Sequence, residues 1–373
     1  MSASSSASVR EKRAIASLRR LCCLGLGGQS AMPALLAELH ALLPSHLNFF
    51  AWAGPKGELA NVYCEGDLMA SLPLYLSEFH NTRELEVAVP FGELMRTTRR
   101  SEVADYEERT MKVDKRSFRR HGYYNEIFRR HGIDNSLQLH VAEHGRGVGL
   151  LRVCRRDGET EFAARDRKIL EWIAPFVAHA LAPARIDDRF TEAGDRGLII
   201  TTTAGAIQYL SPQAERLLIM AQHPDRFSPG VPLPGAAMPP QVLQLCQDLV
   251  RVFENTTPSA APVRQIRNSW GAFTFRAYWL DGAAGTHGPP LIGVTVERLE
   301  PLALKLWRRA EELPLSGREI EVCLPLALGY SRGEVAERLG VSEHTAVTHC
   351  RNLFEKLGVH SRGELVEKLQ AGA

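Results

Sequence analysis

The sequence predicts a multidomain α+β protein: two antiparallel-sheet domains followed by an all-α, four-helix domain with a helix-turn-helix. Three observations lead there. The chain has 373 residues, more than one core usually spans, so two or three domains are expected. Short alternating apolar and polar runs recur up to about residue 300. Near the C-terminus the tetrapeptide Ser-Arg-Gly-Glu occurs twice, at 331–334 and 361–364, after the variant Ser316-Gly317-Arg318-Glu319.

Composition sets the outer limits. Hydrophobic residues make up 45% and charged residues 24%, as in globular chains. A net charge of +2 creates no global field for a polyanion, so such a partner must be met by a local surface. No run of about 18 apolar residues occurs, so no membrane span is expected. The opening "MSASSSASVREKR" lacks the apolar core of a secretory signal. Residues 1–12 read as disordered. Seven cysteines, an odd number without any C-x-x-C, suit a reducing cytoplasm. Adjacent Cys22 and Cys23 read as small packing residues rather than a redox pair.

Residues 13–185 form the first sheet domain. Helices precede a hairpin, "LNFFAWAGPKGELANVYCE", whose Gly54-Pro55-Lys56-Gly57 loop has turn chemistry. "SLQLHVAE" and "GVGLLRVCRR" alternate as strands, and "FAARDRKILEWIAPFVAHAL" closes as an amphipathic helix. This arrangement resembles a GAF domain. Residues 190–300 form the second. "GLIITTTAGAIQYLS" reads as two strands around Ala204-Gly205, and Ser211 caps a helix with Pro212 at its first position. Residues 222–240 read as loop, "QVLQLCQDLVRVF" as a helix, and "APVRQIR", "WGAFTFRAYWL" and "PPLIGVTVE" as strands. With "G-x-I-x-Y-x-S-x-x-A-x-x-L-L", this segment resembles a PAS domain. The resemblances imply that either domain binds a small molecule in the cup of its sheet, or serves in dimerisation. Residues 301–312 are expected to be a helix linking sensor to C-terminal domain.

Residues 313–373 contain the repeated tetrapeptide. Ser-x-x-Glu before an apolar run is a capping box: the serine hydroxyl accepts from the N3 amide, and the glutamate accepts from the N-cap amide. Ser316, Ser331 and Ser361 therefore start helices. Ser342 starts a fourth without the glutamate. Gly329, Gly340 and Gly358 stand where left-handed stops are wanted. The second and third helices are joined by Gly340-Val341, a helix-turn-helix. In the third helix Ala346, Cys350, Leu353 and Leu357 form a core stripe, and His344, Val347, Thr348 and Arg351 a second stripe pointing out. That outer stripe fits either base reading in a major groove or the solvated face of a small bundle.

"LSGREIEVCLPLALGYSRGEVAERLGVSEHTAVTHCRNLFEKLGVHSRGEL" resembles the LuxR/FixJ/NarL-type DNA-binding domain. The resemblance implies that the third helix reads DNA, with Val347, Thr348 and Arg351 at base-reading positions, and that the fourth pairs two subunits. Ser331, Arg332, Ser342, His344, Thr345, Asn352 and Lys356 complete the expected DNA-binding set. Two departures stand out. Val347 replaces the family's usual lysine, and Pro325 inside the first helix should kink it. Over 313–373 lysine plus arginine total 7 and glutamate 8, a net of −1. Phosphate attraction is thus expected locally, from helix N-termini, Arg332, Arg351 and Lys356.

Other motifs carry little chemistry. His140-Val141-Ala142-Glu143-His144 spells H-x-x-E-H, but its neighbours alternate as a strand. The two histidines would then stand about 13 Å apart, too far to share zinc. F-R-R-H-G repeats at 118–122 and 128–132 in the most basic stretch, which reads as a solvated surface, the rim of an anion pocket, or an extra DNA contact. Gly25-Leu26-Gly27-Gly28 lacks the Lys-Ser/Thr of a phosphate loop, and Ser30 lacks the second glycine of a nucleophile elbow. No enzyme, metal or cofactor is expected. The expected function is a cytoplasmic, sequence-specific transcriptional regulator controlled by a small ligand of unknown identity. Its expected partners are double-stranded DNA, a second copy of itself and RNA polymerase. The alternative is a signalling or protein-interaction module with a degenerate helix-turn-helix.

Overall fold

A computed structural model describes residues 2–181, 189–227, 236–253, 262–281 and 289–371. The expected domain boundary at 185, and part of the loop expected over 222–240, lie outside them. In chain order come helices α1 (Ser2–Cys22) and α2 (Gly28–Leu42), then strands β1 (Leu47–Ala53) and β2 (Leu59–Cys64). The short turn α3 (Leu72–Leu74) and helix α4 (Phe91–Thr97) follow. Next are β3 (Glu102–Asp105), α5 (Tyr106–Arg109), α6 (Lys115–Arg120), β4 (Asn135–Glu143), β5 (Arg146–Arg155) and α7 (Ala164–Ala180). The second sheet region holds β6 (Phe190–Thr202), β7 (Ile207–Leu210), α8 (Pro212–Gln222), α9 (Pro240–Phe253), β8 (Val263–Asn268), β9 (Gly271–Leu280) and β10 (Leu291–Pro301). Five helices end the chain: α10 (Leu302–Glu312), α11 (Gly317–Leu328), α12 (Arg332–Leu339), α13 (Glu343–Leu357) and α14 (Arg362–Gln370).

Both sheets are antiparallel with five strands, and their orders correspond: β2-β1-β5-β4-β3 and β7-β6-β10-β9-β8. In β5 the period of two sends Leu151 and Val153 to one face and Leu150, Arg152 and Cys154 to the other, all buried. The β1–β2 turn uses Gly57 at φ 82, a conformation that glycine adopts without Cβ strain. The H-x-x-E-H string spans the end of β4 and its turn, where His144 has φ 50.

The described chain packs as two compact units. One comprises both sheets, Leu43–Ala178 and Glu192–Leu299. Within it, β2 is shared. Val62 and Cys64 face the first core, while Asn61 and Tyr63 meet the second sheet region. Asn61 Nδ2 donates to the carbonyls of Pro224 (3.0 Å) and Asp225 (2.9 Å), and His223 Nε2 lies 2.6 Å from Asn61 Oδ1. Trp270 stacks on Tyr63 at 5.4 Å and meets Trp52 edge-on at 5.8 Å.

The other unit is helical: Met1–Leu42, His179–Thr191 and Glu300–Ala373. Helices α1 and α2, expected to open the first sheet domain, belong to this unit. Arg20 pairs with Glu311 of α10 at 2.7 Å, and Arg13 donates to the Glu311 carbonyl at 2.8 Å. Residues 2–12, which the sequence reads as disordered, lie within α1 (Ser2–Cys22).

Candidate nucleic-acid interface and sensor cavity

The C-terminal helices begin and end as their caps dictate. Ser316 and Ser331 form complete capping boxes: each hydroxyl accepts from the amide of Glu319 or Glu334 at 3.3 Å. Each glutamate in turn accepts from its serine amide at 2.7 Å. The third expected box is half formed. Ser361 accepts from the Glu364 amide, but the Glu364 carboxylate takes the amide of His360 instead, one residue earlier. Gly329, Gly340 and Gly358 are all left-handed C-caps, with φ of 111°, 61° and 63°. Pro325 does not end α11, which runs three residues further; the Pro325 carbonyl accepts from the amides of Gly329 and Tyr330.

At about 100° per residue, Ala346, Cys350, Leu353 and Leu357 of α13 fall within about 60° of arc, and all four are buried. The opposite pole is another arc of about 60° that holds His344, Thr348, Arg351 and Glu355. Asn352 lies beside it, exposed. Val347 and Thr345 sit on opposite flanks, half-buried. Ser342 caps the helix by accepting from the Thr345 amide at 3.2 Å, and its hydroxyl meets that of Thr345 at 2.8 Å. Thr348 returns its hydroxyl proton to the His344 carbonyl at 3.1 Å. Arg351 projects into solvent, about 70% exposed, with Glu355 Oε1 3.9 Å from its Nε.

Two of the expected DNA-contact sites already have intramolecular partners. Lys356 lies about 140° around the helix from Arg351. Its Nζ is 2.7 Å from Glu319 Oε2, and with the Ser316 amide it holds the Glu319 carboxyl below its ordinary range. At the start of α12, where Arg332 is exposed, the Ser331 amide already donates to Glu334. Glu355 was missed from the sequence although its i+4 spacing from Arg351 was legible. Arg338, stacked 3.9 Å over the Tyr330 ring, was missed because only the fold brings the two together.

A second feature lies inside the first sheet. Its inner face and the segments crossing it enclose a mostly apolar cavity, in which the centre of a water molecule can move through about 100 Å³. The second F-R-R-H-G repeat reaches the cavity wall through Phe128, and the first packs beside it. Phe118 and Phe128 point inward with their rings 5.2 Å apart, while both Arg-Arg pairs point out. His131 is buried, bonded to the Ser71 hydroxyl at 2.7 Å and to Asp67 at 3.1 Å.

Among known proteins, residues 313–369 match the family model described as "Bacterial regulatory proteins, luxR family". The Fimbriae Z protein of Salmonella typhimurium is 46% identical over 56 residues, which are 15% of this chain and 27% of that protein. The HTH-type transcriptional regulator MalT of Yersinia pestis is 44% identical over 57 residues, 15% of this chain and 6% of that protein. The chain thus spans about a quarter of the first relative and a small fraction of the second. The solved phage VqmA-DPO complex aligns over 48% of this chain and 81% of that chain, at 19% identity and a TM-score of 0.17. The C-terminal segment is therefore a luxR-family helix-turn-helix domain. No helix among the described residues is long and apolar enough to cross a membrane.

Proposed function

We propose that this protein is a transcriptional regulator whose α13 reads double-stranded DNA from the major groove. The single observation that carries the reading is the arc of His344, Thr348 and Arg351 set directly opposite a buried stripe, within a luxR-family domain. Arg351 has the reach and the bidentate donors to meet guanine, with Thr348 and the methyls of Val347 beside it. Ser342 sets the N-terminus of α13, where phosphate is favoured, and Thr345 and Asn352 flank the reading face. Arg332 supplies a further phosphate contact. With a net of −1 over 313–373, one domain binds weakly, so a homodimer on two half-sites follows. The GAF-like and PAS-like regions are the sensor, and the first holds the cavity for a small signal. The response would reach RNA polymerase through occupancy of the DNA site.

The test is crosslinking and sequencing of bound DNA, with wild type and Arg351→Ala in parallel. Discrete sites that lose about 1–3 kcal/mol of affinity and relax at one base position in the variant are expected. A uniform fall across all sequences would reduce Arg351 to a phosphate contact.

Glu355 beside Arg351 favours a second reading, an interaction module that no longer reads DNA. Affinity that falls steeply with salt separates the two, because counterion release accompanies phosphate contact.

A further inference from the structure

Arg152 points from the middle of β5 into the cavity of the first sheet and is only 8% exposed. Its guanidinium is packed among aromatic rings, 4.3 Å over Tyr106 and 4.9 Å over Phe49. Gln138, with its amide turned so that both neighbours are satisfied, accepts from Nη2 (2.7 Å) and Nε (3.2 Å) and donates to Thr110. Among the described residues no carboxylate lies within ion-pair distance of Arg152. A buried cation without a counter-charge is costly, and rings and one amide offset only part of that cost.

The other polar groups of the cavity wall differ. Glu84 is buried too, but it is satisfied. The Tyr75 hydroxyl donates to it at 2.9 Å, the Asn81 amide at 2.8 Å, and His80 lies 3.5 Å away. Tyr106, 4% exposed, keeps its hydroxyl buried with no partner in bonding geometry, although Arg152 and Tyr123 lie beside it. Burial pushes the phenols of Tyr75, Tyr106 and Tyr123 up, so all three are neutral donors. The cavity therefore presents an unpaired cation and an unused hydroxyl donor side by side, and its acidic group is already engaged.

We propose that this cavity binds a small, single-ring or similarly sized apolar carboxylate. Its carboxylate would meet the free edge of Arg152 and accept from Tyr106, and its body would fill the apolar remainder. A space of this order holds about one aromatic ring. A carboxylate supplies both the counter-charge and the acceptor lone pairs that the wall lacks, in the charge-assisted geometry that guanidinium favours. The assignment rests on the sensor reading above and adds the chemical class of its ligand.

The probes are benzoate and phenylacetate at neutral pH, with benzamide and phenylacetamide as uncharged isosteres. Each is titrated against the full chain by calorimetry and by thermal melting, with DNA binding read in the same samples. Binding of at least one carboxylate, at least tenfold tighter than its amide, is expected. Arg152→Met keeps the stem and removes the charge, and should lose that preference. Tyr106→Phe removes only the hydroxyl and should weaken carboxylate binding several-fold while the protein stays folded. Equal binding of acid and amide, undiminished binding to Arg152→Met, or no binding by either carboxylate would overturn the assignment. Arg152-dependent binding that leaves DNA affinity unchanged would keep the assignment and refute ligand control of DNA binding.

Discussion

Lowering the pH should loosen the contact between the two sheet regions through one imidazole. His223 is buried beside Phe227 and Trp270, with ring centres 5.5 and 5.3 Å away. Asn61 gives both its amide protons to backbone carbonyls, so its Oδ1 is an acceptor and His223 Nε2 is the donor. Burial lowers the His223 pKa from 6.5 to about 4, offset in part by Asp225. The folded state thus holds the neutral ring, while the unfolded chain takes up a proton below pH 6.5. Stability from this group is complete above 6.5 and falls as pH drops toward the folded value. Linkage gives a loss of about 1.4 kcal/mol at pH 5.5 and about 3 kcal/mol at pH 4. Urea unfolding of wild type and His223→Gln at pH 7, 5.5 and 4 measures it. Glutamine can still donate to Asn61 but does not titrate, so the variant's stability should fall less by these amounts. Parallel pH profiles for the two proteins would refute the assignment. His140, also held neutral near a pKa of about 4 by burial and by Arg109 and Arg152, contributes equally to both and cancels.

Two further outcomes concern the helical domain. Ser331→Ala removes the hydroxyl half of a complete capping box and should destabilise α12 by about 1 kcal/mol, with Ser331→Asp close to wild type in calorimetric melting. Equal melting of all three would show that the cap contributes nothing. Lys356→Ala should cost under about 1 kcal/mol, because its pair with Glu319 is part-exposed, and should leave the salt dependence of DNA binding unchanged. A shallower salt slope in that variant would show that Lys356 contacts phosphate.

The C-terminal helical domain was legible because its determinants are local. A capping serine, a glutamate three residues on and a glycine after the last apolar residue fix each helix within a few residues of chain. Helical periodicity then assigns the two faces of α13 without reference to anything else. Lys356 escaped this logic because its partner, Glu319, lies 37 residues away. The third capping box failed for a local reason that spacing could not show. Ser361 starts from φ −139, unlike the other capping serines, and Glu364 bonds the His360 amide.

The sequence by itself determined most strands, though not β3 or the short helices around it, the helix starts and stops of the C-terminal domain, and the inward and outward faces of α13, since each follows from residues within a turn or a pleat of one another. Only the tertiary structure decided that α1 and α2 pack with the C-terminal helices, that β2 is shared by two cores, and that Arg152, Tyr106 and Glu84 line one cavity. Arg152 sits in a strand flanked by apolar residues on both faces, so alternation alone did not mark it or say what stood across from it. That depends on strand order and on segments dozens of residues apart. Pairing between distant segments is set by the joint burial of many side chains, and no single stretch of sequence carries that information.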